Sequence, residues 1–426
     1  MRILIVNTSE RTGGAAVASG RLMNALNNNG AKAKMLVRDK ESDHIAVVGL
    51  RRSLLQEWHF LWERWCIFCH LHFSRKHLFE IDIANTGTDI TTLPEFKEAD
   101  VIHLEWINQG MLSLNDIRKI IAKGKAVVWT MHDLWPAAAI CHYAHMCSSF
   151  KTGCHYCRLL PGGGSANDLS KRVWKCKETV YRNSNIHFVA CSRWLEQQAQ
   201  QSKLLQGMQI TSIPNSIDTN IYHPSDKQDA RLSAGLPAGG RRIILFVSQR
   251  VTDERKGMVY FIEAIERLVA LYPAMKERWV VAVLGGHAED ITDKLALPVY
   301  PLGYVNDEKK IVSVYNSADV FVLPSLEDNL PNTIMEAMAC GVPCVGFDVG
   351  GIPEMIDHEI NGYVARFKDS DDLMRGIRWV LDPNTDYALL SHRAIRKVTS
   401  AYSERSVALK YIEVYDQAMA FKRYRK

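Results

Sequence analysis

Short runs of aliphatic and β-branched residues punctuate this chain, each followed by a turn signal and then by residues at helical spacing. The first, Arg2 to Thr8, runs into Gly13-Gly14 and then Ala15 to Asn27, where Val17, Leu22 and Leu26 share one side. That order predicts a strand, a glycine turn and a helix. Comparable strand runs stand at 33–37, 100–104 (VIHLE), 125–130 (AVVWTM) and 186–190 (IHFVA). Alternation of this kind predicts an α/β fold with a parallel sheet covered on both faces. A second set comprises Arg242 to Val247, Trp279 to Leu284, Val320 to Pro324 and Val342 to Phe347. Between the sets, SIPNSIDTNIYHPSDKQD (212–229) carries two prolines and no helical period, which makes it the expected linker. The expected domains are therefore 1–214 and 215–406, followed by a C-terminal helix, 407–426, that packs back on the first.

The 426 residues exceed the usual size of one domain, and 47% hydrophobic with 23% charged residues is ordinary globular composition. Subtracting 47 acidic from 52 basic residues leaves +5, too small an excess to point to nucleic acid. No run approaches the roughly 20 apolar residues of a membrane span. The apolar part of MRILIVNTSERTGG is too short for a secretory signal, so the expected location is cytoplasmic.

The segment VFVLPSLEDNLPNTIMEAMACGVPCVGFDVGGIPEMI (320–356) reads as strand, loop, helix, strand, loop, helix. It places Glu327 and Asp328 past a strand's carboxyl end, just before a helix beginning near Thr333. In open α/β sheets that is where ligands bind, and free N–H groups at a helix start suit a phosphate. Thr333-x-x-Glu336 also has the spacing of a capping box, which would make Glu336 a purely structural residue.

Over nearly its whole length the sequence resembles the retaining glycosyltransferases of family four, which have the two-domain GT-B fold. Asp328 and Glu336 stand with seven residues between them, as the paired acids of that family do, although Glu is commoner in the first place. Gly13-Gly14 resembles the family's glycine loop, WTMHDLWP its strand-end His-Asp (His132 and Asp133), and SQRVTDERKG its diphosphate-binding Arg and Lys. The last match falls on Arg250 and Lys256, with Arg255 competing for either place. ADVIHLEWIN, HDLWP and a cysteine-rich insert resemble a subgroup acting in surface-polysaccharide synthesis, with Glu105 where that subgroup usually has His.

The resemblance implies two Rossmann-like domains facing across a cleft, the second holding a UDP- or GDP-sugar and the first a glycan or lipid-linked saccharide acceptor. It further implies transfer with retention of anomeric configuration. Glu336 would bind the ribose, Asp328 or Glu327 the sugar hydroxyls, Arg250 and Lys256 the diphosphate, and His132 the sugar. Gly13, Gly14, Asn332 and Thr333 complete the expected donor contacts. Arg250, Lys256 and the helix start would receive the leaving charge without a metal, so no catalytic cofactor is expected.

Three features stand outside this scheme. Cys141, Cys147, Cys154 and Cys157 fall within 17 residues, and the gap between the last two suits zinc, so a structural zinc in the insert 141–157 is set against buried reduced thiols. Asp369-Ser370-Asp371 resembles a short metal-binding aspartate motif, but its place before a helix predicts capping. In RRSLLQEWHFLWERWCIFCHLHFSRKH (51–77), Leu54, Trp58, Leu61, Trp65, Phe68 and His72 share a helical side, with Arg51, Arg52, Arg64, Arg75 and Lys76 adding positive charge. That side faces either its own core or an anionic membrane at the inner face of the cytoplasmic membrane. Cys66 and Cys69 in this stretch are expected to be buried apolar residues. Two rival functions are a catalytically silent nucleotide-sugar-binding protein on the same scaffold and a nicotinamide-dependent oxidoreductase. Gly13-Gly14 lacks the G-x-G-x-x-G order the latter needs.

Overall fold

The structure is a computed structural model that describes residues 1–51, 54–182 and 184–423; Arg52 and the last three residues of the expected C-terminal helix lie outside these. The chain forms two compact units, Met1–Ser216 with the segment from Val407 onward, and Ile217–Ser406.

The first unit is built on seven parallel strands: β1 (Arg2–Ser9), β2 (Lys32–Asp39), β3 (Val47–Gly49), β4 (Val101–Leu104), β5 (Ala126–Met131), β6 (Ile186–Ala190) and β7 (Gln209–Ser212). Their order is β3-β2-β1-β4-β5-β6-β7, so the winding reverses between β1 and β4. Both faces are buried. Ile3, Ile5, Val101, Val128 and Val189 join one core, while Leu4, Val6, Ile102, Leu104, Val127 and Trp129 join the other. The helix Glu404–Arg423 contributes Val407, Tyr411, Val414 and Tyr415 to the first of these cores. Burying an aliphatic side chain of this kind stabilises by roughly 1.5–3 kcal/mol, so the chain's end is part of the first unit's fold.

The second unit holds six parallel strands: β8 (Arg242–Arg250), β9 (Trp279–Gly286), β10 (Val299–Gly303), β11 (Val320–Leu323), β12 (Cys344–Phe347) and β13 (Gly362–Ala365). The order β10-β9-β8-β11-β12-β13 puts the reversal between β8 and β11. The loops leaving those two strands meet closely. Gly257, at φ +71°, lies so near the Pro324 carbonyl that a Cβ there would stand 1.8 Å from its oxygen.

The tryptophan-rich stretch forms a helix, Leu54–His70, that ends before His72, whose positive φ takes it off the expected side. Its polarity is inverted. Gln56, His59, Glu63, Arg64 and Ile67 are buried, whereas Leu54 (86% exposed), Leu61 (62%), Trp65 (53%) and Trp58 (48%) face outward. The inward charges are satisfied locally: Glu63 accepts from the Ile83 and Ala84 N–H groups at 2.9 and 2.7 Å, and Arg64 pairs with Asp82 and donates to the Leu78 carbonyl at 2.7 Å. Cys66 and Cys69 are half-buried rather than buried. Among the described residues no helix is long and apolar enough to cross a membrane.

Candidate active site

In the second unit, the two loops at the sheet's reversal carry the expected polar residues. Asp253 caps the turn Glu254–Lys256 by accepting from the Arg255 N–H, and Gly257 then starts the helix Met258–Leu271. Lys256 Nζ lies 2.6 Å from Asp328 Oδ2, which also accepts from Ser325 Oγ at 3.1 Å. Arg255 donates to the Glu327 carbonyl at 3.0 Å and stands 3.8 Å from Asp328, so it clamps the acidic loop. Arg250, at the end of β8, is exposed, and no ion pair joins it to another described residue. Of the two competing arginines, Arg250 is thus the one open to an incoming anion. Burial pushes the Asp328 carboxyl upward, but Lys256 and Arg255 outweigh it and hold the group below the usual carboxylate range.

Glu336 lies in the helix Asn332–Ala339, whose N-cap is Pro331 with no side-chain cap. The capping-box expectation fails, because the helix begins ahead of Thr333. Glu336 instead accepts from the hydroxyl of Tyr315 at 2.7 Å, a residue fully buried in the helix Glu308–Ser317. Thr333 Oγ1, in the helix's first turn, is buried with no hydrogen-bond partner among the described residues. Asp369 caps the helix Ser370–Leu381 through the Asp372 N–H, and Asp371 pairs with Arg267 at 2.5 Å, so this pattern is a helix start.

In the first unit, Gly13 takes φ +94° to open the helix Gly14–Asn28; a Cβ there would meet nothing within 4 Å, so backbone conformation and not space explains the glycine. His132 follows β5 directly. Its Nε2 stands 2.6 Å from Glu105 Oε2 and its Nδ1 3.5 Å from Cys191 Sγ. A small pocket here is lined by Leu22, Glu105, Thr130, His132, Ser216 and Tyr411, among others, and Ser216 Oγ is buried without a partner among the described residues.

Asp133 turns away from this pocket. It accepts from the Trp135 N–H at 2.9 Å and Trp106 Nε1 at 3.1 Å, and pairs with His142 Nδ1 at 2.7 Å. His142 Nε2 reaches Asp82 at 2.6 Å, and Asp82 also pairs with Arg64 of the tryptophan helix. Burial disfavours a charged ring, yet the two carboxylates raise the pKa of His142 to about 10.

The cysteine insert follows directly. Burial raises the pKa of Cys141, Cys154 and Cys157, taking Cys154 to about 12, and Cys147 lies near enough to all three to add a smaller upward push. Among the described residues, however, no group of three or more His, Cys, Asp or Glu is placed to hold a metal ion. Lys177, wholly buried, donates to the carbonyls of Trp135 and Ala138 and lies 3.2 Å over the Trp135 ring, fixing the turn that enters the insert.

The sequence reading did not foresee the roles of Tyr315, Arg255 and Cys191. Two separate parallel sheets, each with its polar loops at the carboxyl ends around a winding reversal, define the architecture of the GT-B glycosyltransferases. Comparison with known proteins agrees. Residues 241–383 match the family model described as glycosyl transferases group 1. An uncharacterized glycosyltransferase of Methanocaldococcus jannaschii is 26% identical over 80% of this chain and 90% of its own length. D-inositol 3-phosphate glycosyltransferase of Thermobispora bispora is 26% identical, but over 49% of this chain and 51% of its own. Among solved structures, sucrose-phosphate synthase from Thermosynechococcus elongatus superposes with a TM-score of 0.65 at 18% identity, covering 99% of both chains. The Anabaena protein HepE in complex with UDP-glucose gives 0.65 at 17%, covering 98% of this chain and 100% of that one. The chain has the GT-B fold, and residues 241–383 of its second unit are similar to the group 1 glycosyl transferases.

Proposed function

We propose that this enzyme moves a sugar from a UDP- or GDP-sugar held by its second unit to a glycan or lipid-linked saccharide, with retention at the anomeric carbon, in surface-polysaccharide synthesis. The observation that carries the donor site is that exposed Arg250, Lys256 and a helix start whose Thr333 hydroxyl has no partner among the described residues all belong to the end of β8 and the loops leaving β8 and β11. Cleavage of the sugar–phosphate bond leaves negative charge on the diphosphate, and preorganised positive groups stabilise it most. Lys256 exchanges Asp328 for that phosphate, which releases the carboxylate toward the sugar hydroxyls. Glu336, its charge fixed in place by Tyr315, accepts from the ribose hydroxyls. His132 is the first unit's contribution to sugar binding.

A thermal-shift screen with UDP-, GDP- and ADP-sugars tests the donor. At about 100 times its Kd a true donor stabilises by about 2.7 kcal/mol. Product NMR with the selected donor then reads the anomeric configuration, and an inverted product rejects retention. Transfer is metal-independent in this reading and survives EDTA; turnover lost on brief chelation and restored by magnesium or manganese refutes that. Binding with neither transfer nor donor hydrolysis supports the silent binding protein instead.

The outward Leu54, Trp58, Leu61 and Trp65, flanked by exposed Arg51, Arg75 and Lys76, support peripheral docking on an anionic membrane, where a lipid-linked acceptor resides. Flotation with phosphatidylglycerol vesicles that is equal for wild type and a folded Trp58, Trp62, Trp65 to Ala variant rejects the docking. Structural zinc rests on cysteine spacing alone. One equivalent in protein purified without chelators supports it, and less than about a tenth rejects it.

A further inference from the structure

Glu105, His132 and Cys191 are each the first residue beyond a strand, and the strands β4, β5 and β6 are neighbours in the sheet. The register sets His132 level with Cys191 and Glu105 level with Thr130, two positions earlier on the same face, so the two neighbouring strands, about 4.8 Å away on either side, flank the ring. The contacts are 2.6 Å from Nε2 to Glu105 and 3.5 Å from Nδ1 to Cys191. Behind the ring, the second oxygen of Glu105 stands 3.4 Å from His103 Nε2, which also meets Thr130 Oγ1 at 2.7 Å. Tyr415 meets His103 Nδ1 at 2.8 Å and Tyr411 meets Thr130 at 2.9 Å. Both tyrosines come from the C-terminal helix, so the end of the chain closes the back of the cluster.

We propose that Glu105 is a positioning residue for His132: its carboxylate accepts the Nε2 hydrogen, fixes the plane of the ring and stabilises its positive charge in the wall of the pocket. This rests on the reading of His132 as a sugar-side group. A carboxylate only 1% exposed is a strong acceptor, and a charge-assisted bond at 2.6 Å is about twice as strong as a neutral one. The ionisable groups around the ring are Glu105, His103, Cys191, Tyr411 and Tyr415. Burial opposes charge on both histidines. For His132 the Cys191 sulfur and Glu105 outweigh it, and the pKa stands well above the usual range; for His103 burial and the neighbouring His132 outweigh Glu105, and the pKa falls below it. One carboxylate therefore serves two rings, and the charge resides on His132.

Long-range proton–nitrogen correlation spectra of 15N-histidine protein follow the ring itself, with His132→Gln identifying its signal. The wild-type ring is expected to titrate well above the free histidine value, and in Glu105→Gln to titrate clearly lower than in wild type. With it, kcat/KM for transfer falls about 10- to 100-fold, more steeply at high pH, and Glu105→Asp restores part of the loss. A wild-type ring that titrates near its free value of about 6.5 overturns the proposal even if Glu105→Gln does not fold. Identical titration in wild type and Glu105→Gln overturns it as well. A lowered titration with wild-type kcat/KM upholds the role of Glu105 and removes His132 from the transfer site.

Discussion

Raising the pH from about 7 to about 10 should weaken the first unit through one residue, His142, whose ring is clamped at 2.7 Å by Asp133 and at 2.6 Å by Asp82. Its side chain is 7% exposed and its pKa stands at about 10, against about 6.5 for an unfolded histidine. Because the folded value is the higher one, the ring's stabilisation is complete below the unfolded pKa and is lost as the pH climbs through the folded one. The difference, roughly 3.5 units at about 1.4 kcal/mol each, sets a ceiling of about 5 kcal/mol, and local water entry and relaxation reduce this to an expected 2–4 kcal/mol. Wild type alone does not isolate it, because the raised pKa of His132 acts in the same direction and the lowered pKa of buried Lys177 in the opposite one. Both cancel in the difference between wild type and His142→Asn. Urea unfolding followed by tryptophan fluorescence is the assay, since eight of the ten tryptophans lie in the first unit. The wild-type curve should fall about 2–4 kcal/mol further than the variant's over this range, and curves parallel within about 0.5 kcal/mol refute the clamp.

Glu336→Gln can still accept from Tyr315, so it should melt like wild type while kcat/KM falls about ten- to a hundredfold; wild-type kcat/KM removes Glu336 from the donor site. Lys256→Ala leaves Asp328 buried beside Arg255 alone, and the apparent affinity for free nucleoside diphosphate, read by calorimetry, should drop at least about tenfold; unchanged affinity places the phosphate elsewhere. Gly257→Ala forces a Cβ against the Pro324 carbonyl at a positive φ and should cost about 1–3 kcal/mol or more of second-unit stability, measured by calorimetric melting; a wild-type Tm contradicts the close approach.

What the sequence shows of this fold depends on where a strand sits in its sheet. The nine strands read from hydrophobic runs include every interior strand, each carrying a run of buried apolar residues. The four it does not show, β3, β7, β10 and β13, are the four sheet edges, where only partial burial is required and Gln209, Pro301 and Gly303 are tolerated. The site divides in a similar way. Arg250, Lys256, Asp328 and Glu336 are legible because a strand end and a helix start are local features. The partners that hold functional groups are not: Lys256 finds Asp328 across 72 residues, His132 finds Cys191 across 59, and His103 finds Tyr415 across 312. No periodicity records such pairs. The capping box misled for a local reason, since with Pro331 as its N-cap the helix starts two residues too early for Thr333 to cap it.

The inverted helix reverses the usual map of mutational tolerance. Along Leu54–His70, replacing an outward tryptophan or leucine removes little that folding uses, so these positions should accept polar residues in any screen for folded protein. Glu63 and Arg64, which an inspection of hydropathy would pass over as surface charges, should accept almost nothing, because Glu63 accepts from two buried peptide N–H groups and Arg64 shares with His142 the balancing of the buried Asp82 carboxylate. A library scored for folding would therefore constrain the polar inward face of these seventeen residues and leave the apolar outward face free to vary.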